Sequence, residues 1–185
     1  VTIPPGWRGQ HITLFLERPH WQTTVSVDGR PIGTEDSLTT PHVYDLSDAL
    51  PPGPHTLRIV VDNTYRINVG RNAHSVTDHT QTNWNGIAGR IELRATAPVW
   101  IEDAQVYPQG RVEVTVRNRT GVPVNAVLRA AGTEARLDNL AAERKVTLTI
   151  PAAGKLWDEY EGNLQQLDLW LTTSRDGQPG IRYFR

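Results

Sequence analysis

Trp84 stands in an unusually polar run. Asn72, His74, Asp78, His79, Gln81, Asn83 and Asn85 cluster around it within RNAHSVTDHTQTNWNGIAGRIELR, the stretch from Arg71 to Arg94. These side-chain types suit recognition of a polyhydroxylated ring. An indole face stacks on an apolar C–H surface, while amides, a carboxylate and an imidazole hydrogen-bond hydroxyls in fixed directions. Gly86 and Gly89 then break the pattern, and Ile91 and Leu93 resume a strand-like alternation. Two readings of Trp84 stay open on these residues alone: a stacking platform, or a large apolar group that plugs the edge of a core.

Other chemistries find less support. His74, Asp78 and His79 offer two imidazoles and a carboxylate, a donor set known from catalytic zinc sites. Adjacent Asp78 and His79 point apart in an extended chain, so solvated loop polars are the expectation and no metal site is assigned. Glycoside hydrolysis needs two carboxyl groups held apart on different elements. Glu102-Asp103 and Asp158-Glu159 are sequence neighbours instead, which describes a wet face. No serine sits in a Gly-x-Ser-x-Gly setting, and no glycine-rich phosphate loop opens a helix. No catalytic residue and no cofactor are expected in this chain.

Composition narrows the partners. The 185 residues carry a formal net charge of -1, with 38% hydrophobic and 21% charged residues, an ordinary soluble balance. Such a charge makes no electrostatic case for nucleic acid or for an anionic membrane. Cysteine is absent, which removes disulfides and thiolate metal sites and leaves the redox compartment open. No apolar run has the length of a membrane-spanning helix and no signal-peptide pattern is legible, so the compartment is not set. Methionine is also absent, even at position 1, and the chain is expected to be a piece of a longer protein.

The elements that must position the polar run read as strands punctuated by turns. Pro4, Pro5 and Gly6 close a short first strand. HITLFLE alternates Ile12, Leu14 and Leu16 on one face, which predicts a half-buried strand. Val25 and Val27 lead into Asp28-Gly29, a hairpin signal because a type I′ turn needs positive φ at both central residues. The partner strand is expected from Arg30 to Gly33, followed by a polar loop from Thr34 to Pro41. Ser47 and Asp48 before Ala49-Leu50 suggest one helical turn, stopped by Pro51. HTLRIVVDN places Leu57, Ile59 and Val61 on one side. Composition shifts at Ala95 to Val99, where Ala97-Pro98 marks a domain boundary. VWIEDAQVYPQG, RVEVTVRN and VNAVLRA supply further strands, EARLDNLAAERKVTLTIP alternates weakly, and LDLWLTT is followed by a turn at Asp176-Gly177 and a last strand from Ile181 to Phe184. Strands at this spacing without long helical patterns predict an all-β protein of two β-sandwiches.

Several blocks resemble family 2 glycoside hydrolases, which include β-galactosidases, β-glucuronidases and β-mannosidases. HWQTTVSVDGRPIG is similar to the family's hairpin "V-x-V-N-G-x-x-V-G", with Asp28 in place of the usual Asn; either residue suits the turn. TTPHVYDLSDAL resembles "T-P-F-x-x-D-I-T-D-L-L", and HTLRIVVDN resembles "N-T-L-x-V-x-V-D-N". NGIAGRIEL resembles "G-I-x-R-D-V-x-L", with Gly89-Arg90 where Arg-Asp is common. In the second half PVWIEDAQVYP resembles the start of the family's immunoglobulin-like domain. GKLWDEYEGNLQQLDLWL resembles "L-W-S-P-E-x-P-x-L-Y-x-L", although Asp158 to Asn163 lack the usual Ser-Pro, and GIRYFR resembles "V-R-F-G-F-R".

The resemblance implies a jelly-roll-like, galactose-binding-like sugar-binding domain over residues 1–96 and an immunoglobulin-like sandwich over 97–185. It implies first strands preceding Val1 and a catalytic TIM barrel following Arg185, with the general acid and nucleophile glutamates in that barrel. The chain would then be a non-catalytic accessory part of a glycosidase, partnered by the barrel and by carbohydrate, which it would bind weakly in isolation. The loop before the "G-I" strand reaches over the barrel mouth in relatives, a role that falls here on Trp84, Asn83, Asn85, Gln81, Asp78 and His79. The alternative from another class is a stand-alone carbohydrate-binding or adhesive β-sandwich module.

Overall fold

A computed structural model describes residues 1–68, 70–74, 76, 77, 79, 84–152, 154, 155 and 157–173. The fold is all-β, and among the described residues the one helical element is a short 3-10 turn at Pro5–Trp7. Internal contacts divide the chain into Val1–Ala95 and Thr96–Arg185.

The first unit contains β1 (Thr2–Ile3), β2 (His11–His20), β3 (Gln22–Val27), β4 (Arg30–Glu35), β5 (His42–Asp45), β6 (Gly53–Pro54), β7 (Leu57–Asp62) and β8 (Gly86–Thr96). They form two three-stranded sheets, β5-β2-β8 and β4-β3-β7, plus the small pair β1-β6. Register is set by the apolar alternation, since a one-residue slip would turn every inward side chain outward. Leu14 therefore lies opposite Tyr44, and Val25 opposite both Gly33 and Ile59. The inward set packs as one core of Ile3, Ile12, Leu14, Leu16, Val25, Val27, Tyr44, Leu46 and Leu50, none above 5% exposed.

One expectation changes here. The outer face of β2 is not wet, because Phe15 is also buried. The Arg94 guanidinium lies 3.6 Å from its ring centre and that of Arg90 lies at 5.1 Å, a cation–π cover supplied by β8.

The Asp28-Gly29 hairpin has φ of 49° and 80° at its two central residues, as a type I′ turn requires. The Asp28 carboxylate accepts the Thr56 amide at 2.8 Å through Oδ1 and His55 Nδ1 at 2.7 Å through Oδ2. Strand β4 continues past Gly33 to Glu35 because Thr34 and Glu35 still pair with Thr24 and Thr23. Pro31 is tolerated on β4 since that strand is at the edge of its sheet. After β5, a single turn closes with Leu50 N donating to Leu46 O at 3.0 Å. Asp45 Oδ1 accepts the Ser47 amide at 2.9 Å at the start of that turn.

The second unit contains β9 (Val99–Val106), β10 (Arg111–Asn118), β11 (Val124–Ala130), β12 (Thr133–Leu140), β13 (Glu143–Thr149) and β14 (Leu169–Thr173). Its two sheets have the orders β13-β10-β9 and β12-β11-β14. Val112, Val114 and Val116 are at most 1% exposed and pack with Leu128, Leu137, Leu140, Leu148 and Leu171 in one core. The weakly alternating run before Ile150 is two strands, β12 and β13, divided after Leu140. A second tight hairpin, Ala131-Gly132 with φ of 46° and 81°, joins β11 to β12 without the usual Asn or Asp.

Buried Asn118 organises the end of this unit. Its Nδ2 donates to the Val122 and Leu140 carbonyls at 2.8 Å each, and its Oδ1 accepts the Thr120 amide at 2.8 Å. The turn expected at Asp176-Gly177 and the strand from Ile181 to Phe184 lie outside the described residues.

Candidate functional site

An open cleft of about 630 Å³ lies in the first unit, with His20, Trp21, Asn63, Tyr65, His79 and Asn85 among its walls. Most of these residues come from strand ends rather than strand middles. His20 closes β2, Trp21 precedes β3, Asn63 and Tyr65 follow β7, and Asn85 immediately precedes β8. Side chains at strand ends escape the in-and-out alternation of the sheet and can converge on one space.

Hydrogen bonds hold Trp21, Asn63 and Asn85 in place. Trp21 is 4% exposed; its Nε1 donates to the Asp36 carbonyl at 2.7 Å and its amide to the Asp62 carbonyl at 3.3 Å. Asp62 then turns the chain out of β7, its Oδ1 accepting the Thr64 amide at 2.9 Å and the Thr64 hydroxyl at 2.5 Å. Those two bonds, with the Arg66 guanidinium at 2.5 Å, hold the Asp62 carboxyl below its ordinary range. The turn delivers Asn63, whose Nδ2 donates to Asn85 Oδ1 and ties the exit of β7 to the entry of β8. Glu17 secures β8 from the other side: its Oε2 accepts both Arg90 N and Arg90 Nε at 2.9 Å. The hydrogen bonds from Arg90 depress the Glu17 carboxyl.

Of the residues singled out from sequence, Asn85 and His79 line the cleft. Trp84 is half-buried; its Nε1 donates to the Arg18 carbonyl at 3.0 Å, and its ring centre stands 5.2 Å from that of His20 at a 55° tilt. Asp78, Gln81 and Asn83 lie outside the described residues, as does one member of the His74, Asp78, His79 set. Sequence reading missed His20, Trp21, Asn63 and Tyr65. The available signal was positional: His20-Trp21 opens the first hairpin block, and Asn63 closes the "V-D-N" block.

The described walls of the cleft combine aromatic faces with amides and imidazoles. Its volume falls in the range of small-molecule sites.

No protein-family model and no curated protein sequence matches the chain. Solved structures do match over its whole length. A Bacteroides uniformis β-glucuronidase matches at TM-score 0.73 and 17% identity, with the chain covering 25% of it. A putative β-galactosidase from Bacteroides fragilis matches at TM-score 0.71 and 16% identity, with 31% of it covered. A glycosyl hydrolase family 2 member from Bacteroides cellulosilyticus matches at TM-score 0.65 and 17% identity, with 27% covered. The chain thus spans only a quarter to a third of the glycosidases it matches, and its fold is that of the corresponding β-sandwich segment of family 2 glycoside hydrolases.

Proposed function

We propose that this chain is the non-catalytic, sugar-facing part of a family 2-like glycosidase. It shapes one wall of the substrate site while a TIM barrel supplies the acid and nucleophile. One observation carries the reading. A cleft whose described walls hold aromatic faces, amides and imidazoles sits where the run preceding β8 meets the ends of β2 and β7. Amides and neutral imidazoles are donors and acceptors at once, which matches hydroxyl groups, and exposed aromatic surface such as that of Tyr65 offers a stacking face. Trp84, Asn85 and His79, with Asp78, Gln81 and Asn83, make the strip that faces the sugar.

The test is expression of the complete open reading frame that encodes this chain, beside the chain alone. The complete protein is expected to hydrolyse an aryl β-glycoside, and the chain alone to show no turnover while binding a simple glycoside with a dissociation constant of order millimolar. Turnover by the chain alone, abolished by replacing one of its own carboxylates, would overturn the proposal. Glycoside binding with no hydrolase domain encoded alongside would favour a stand-alone carbohydrate-binding module.

A further inference from the structure

A smaller open hollow of about 300 Å³ adjoins the cleft, and its described walls are Trp21, Asp36, Ser37, Leu38, Ile67 and Val76. Trp21 and Val76 also line the cleft, so the two spaces meet at a shared wall. Their chemistry differs. The cleft presents amides and imidazoles, whereas four of the six groups around the hollow are apolar. The polar atoms of its loop are already engaged. The Asp36 carbonyl accepts Trp21 Nε1 at 2.7 Å, and the Ser37 carbonyl accepts His42 Nε2 at 2.8 Å. Ser37 Oγ accepts the Thr39 and Thr40 amides at 3.2 Å each, which fixes the loop that carries Leu38. Ile67 is 57% exposed, and Leu38 and Val76 are half-buried, so these three aliphatic side chains remain open to a ligand laid across them.

We propose that this hollow takes the aglycone of a glycoside whose pyranose lies in the cleft, and that the aglycone is an aryl group resting on Leu38, Ile67 and Val76. This rests on the sugar-binding reading above and names the class of glycoside. A second sugar would bring hydroxyls that need donors and acceptors, and the engaged carbonyls of Asp36 and Ser37 serve them poorly. An aryl ring asks only for apolar surface to leave water with it. The volume lies at the lower end of small-molecule sites, which suits one substituent rather than a separate ligand. Because hydrogen bonds already order the loop at Ser37, little further ordering is needed when the ring binds.

The experiment titrates the 185-residue chain with the phenyl β-D-glycosides of galactose, mannose and glucuronic acid, each beside its methyl counterpart, followed by ¹³C-methyl NMR. For at least one sugar the phenyl glycoside is expected to bind about five- to tenfold more tightly than the methyl one. Tenfold corresponds to about 55 Å² of apolar surface leaving water, well within the area of one phenyl ring. The phenyl glycoside should also shift the Leu38 and Ile67 methyl signals more than the methyl glycoside does. Ile67→Ser and Leu38→Ser should each reduce the phenyl advantage to about threefold or less and leave the affinity for the methyl glycoside unchanged. Equal binding of each pair would overturn the aglycone pocket and leave the sugar-binding reading standing. So would a phenyl advantage that both variants keep, which would make the hollow a packing face for another part of the protein. No binding of any glycoside to the wild-type chain would overturn both readings. Should Leu38→Ser fail to fold, Ile67→Ser, at an exposed position, and the wild-type methyl shifts decide the matter.

Discussion

Replacing Trp84 separates packing from recognition, because the indole is engaged through both its ring and its N–H. The residue is half-buried, its ring lies against His20, and its Nε1 donates to the Arg18 carbonyl at 3.0 Å. Truncating a fully buried Trp to Ala costs about 3–5 kcal/mol, which half-burial scales to about 2 kcal/mol. The Arg18 carbonyl left without its donor adds about 1 kcal/mol. Trp84→Ala should thus lose about 3 kcal/mol, whereas Trp84→Phe keeps most of the apolar face and should lose about 1 kcal/mol. Urea unfolding followed by far-UV circular dichroism reads both. With a slope of about 2 kcal/mol/M, the midpoint should fall by about 1.5 M for alanine and about 0.5 M for phenylalanine. Glycoside titration of the same proteins then tests stacking: Phe should retain most of the affinity and Ala should lose about tenfold or more. An alanine variant with the wild-type midpoint would refute the packing argument, and one with wild-type affinity would remove Trp84 from the recognition strip.

Three further outcomes follow from the geometry. An added Cβ at Gly110, where φ is 81°, would lie 2.2 Å from the Ile150 carbonyl oxygen, whereas at Gly132, with the same φ, it would meet nothing within 4 Å. Gly132→Ala should therefore cost about 1–2 kcal/mol of left-handed strain, and Gly110→Ala about 1–3 kcal/mol more for the clash; equal urea midpoints would contradict this. Asn118→Leu deprives the Val122 and Leu140 carbonyls of their donor and should destabilise the second unit by about 2–4 kcal/mol by the same measurement. The Asp28–His55 pair sets a pH window, since its hydrogen bond raises His55 above the ordinary 6.5 and lowers Asp28 below the ordinary 3.8. The His55 contribution is complete below pH 6.5 and is lost as pH rises through its elevated folded value. The Asp28 contribution is complete above pH 3.8 and is lost as pH falls through its depressed value. Asp28→Asn should thus destabilise more at pH 5.5 than at pH 9 in urea titrations, and an equal loss at both would count against the ion pair.

Period-two alternation, Asp28-Gly29 and the proline-rich stops were enough to announce an all-β chain, because strand periodicity and positive-φ turns are local properties written in adjacent residues. The break between β12 and β13 was harder to see. The apolar residues Leu137, Leu140, Val146 and Leu148 belong to strands in different sheets, and local alternation carries no record of which sheet a residue joins. The cover over Phe15 was invisible for the same reason, since Arg90 and Arg94 reach it from a strand more than seventy residues later. The polar run around Trp84 could be singled out by composition alone, with Asn85 and His79 in it. Only the tertiary structure brought them to His20, Trp21, Asn63 and Tyr65, because that cleft is made where β2 and β7 end and β8 begins. Convergence of strand ends depends on which strands are neighbours across the sandwich, and that is settled by burial of the whole core at once rather than by any one segment.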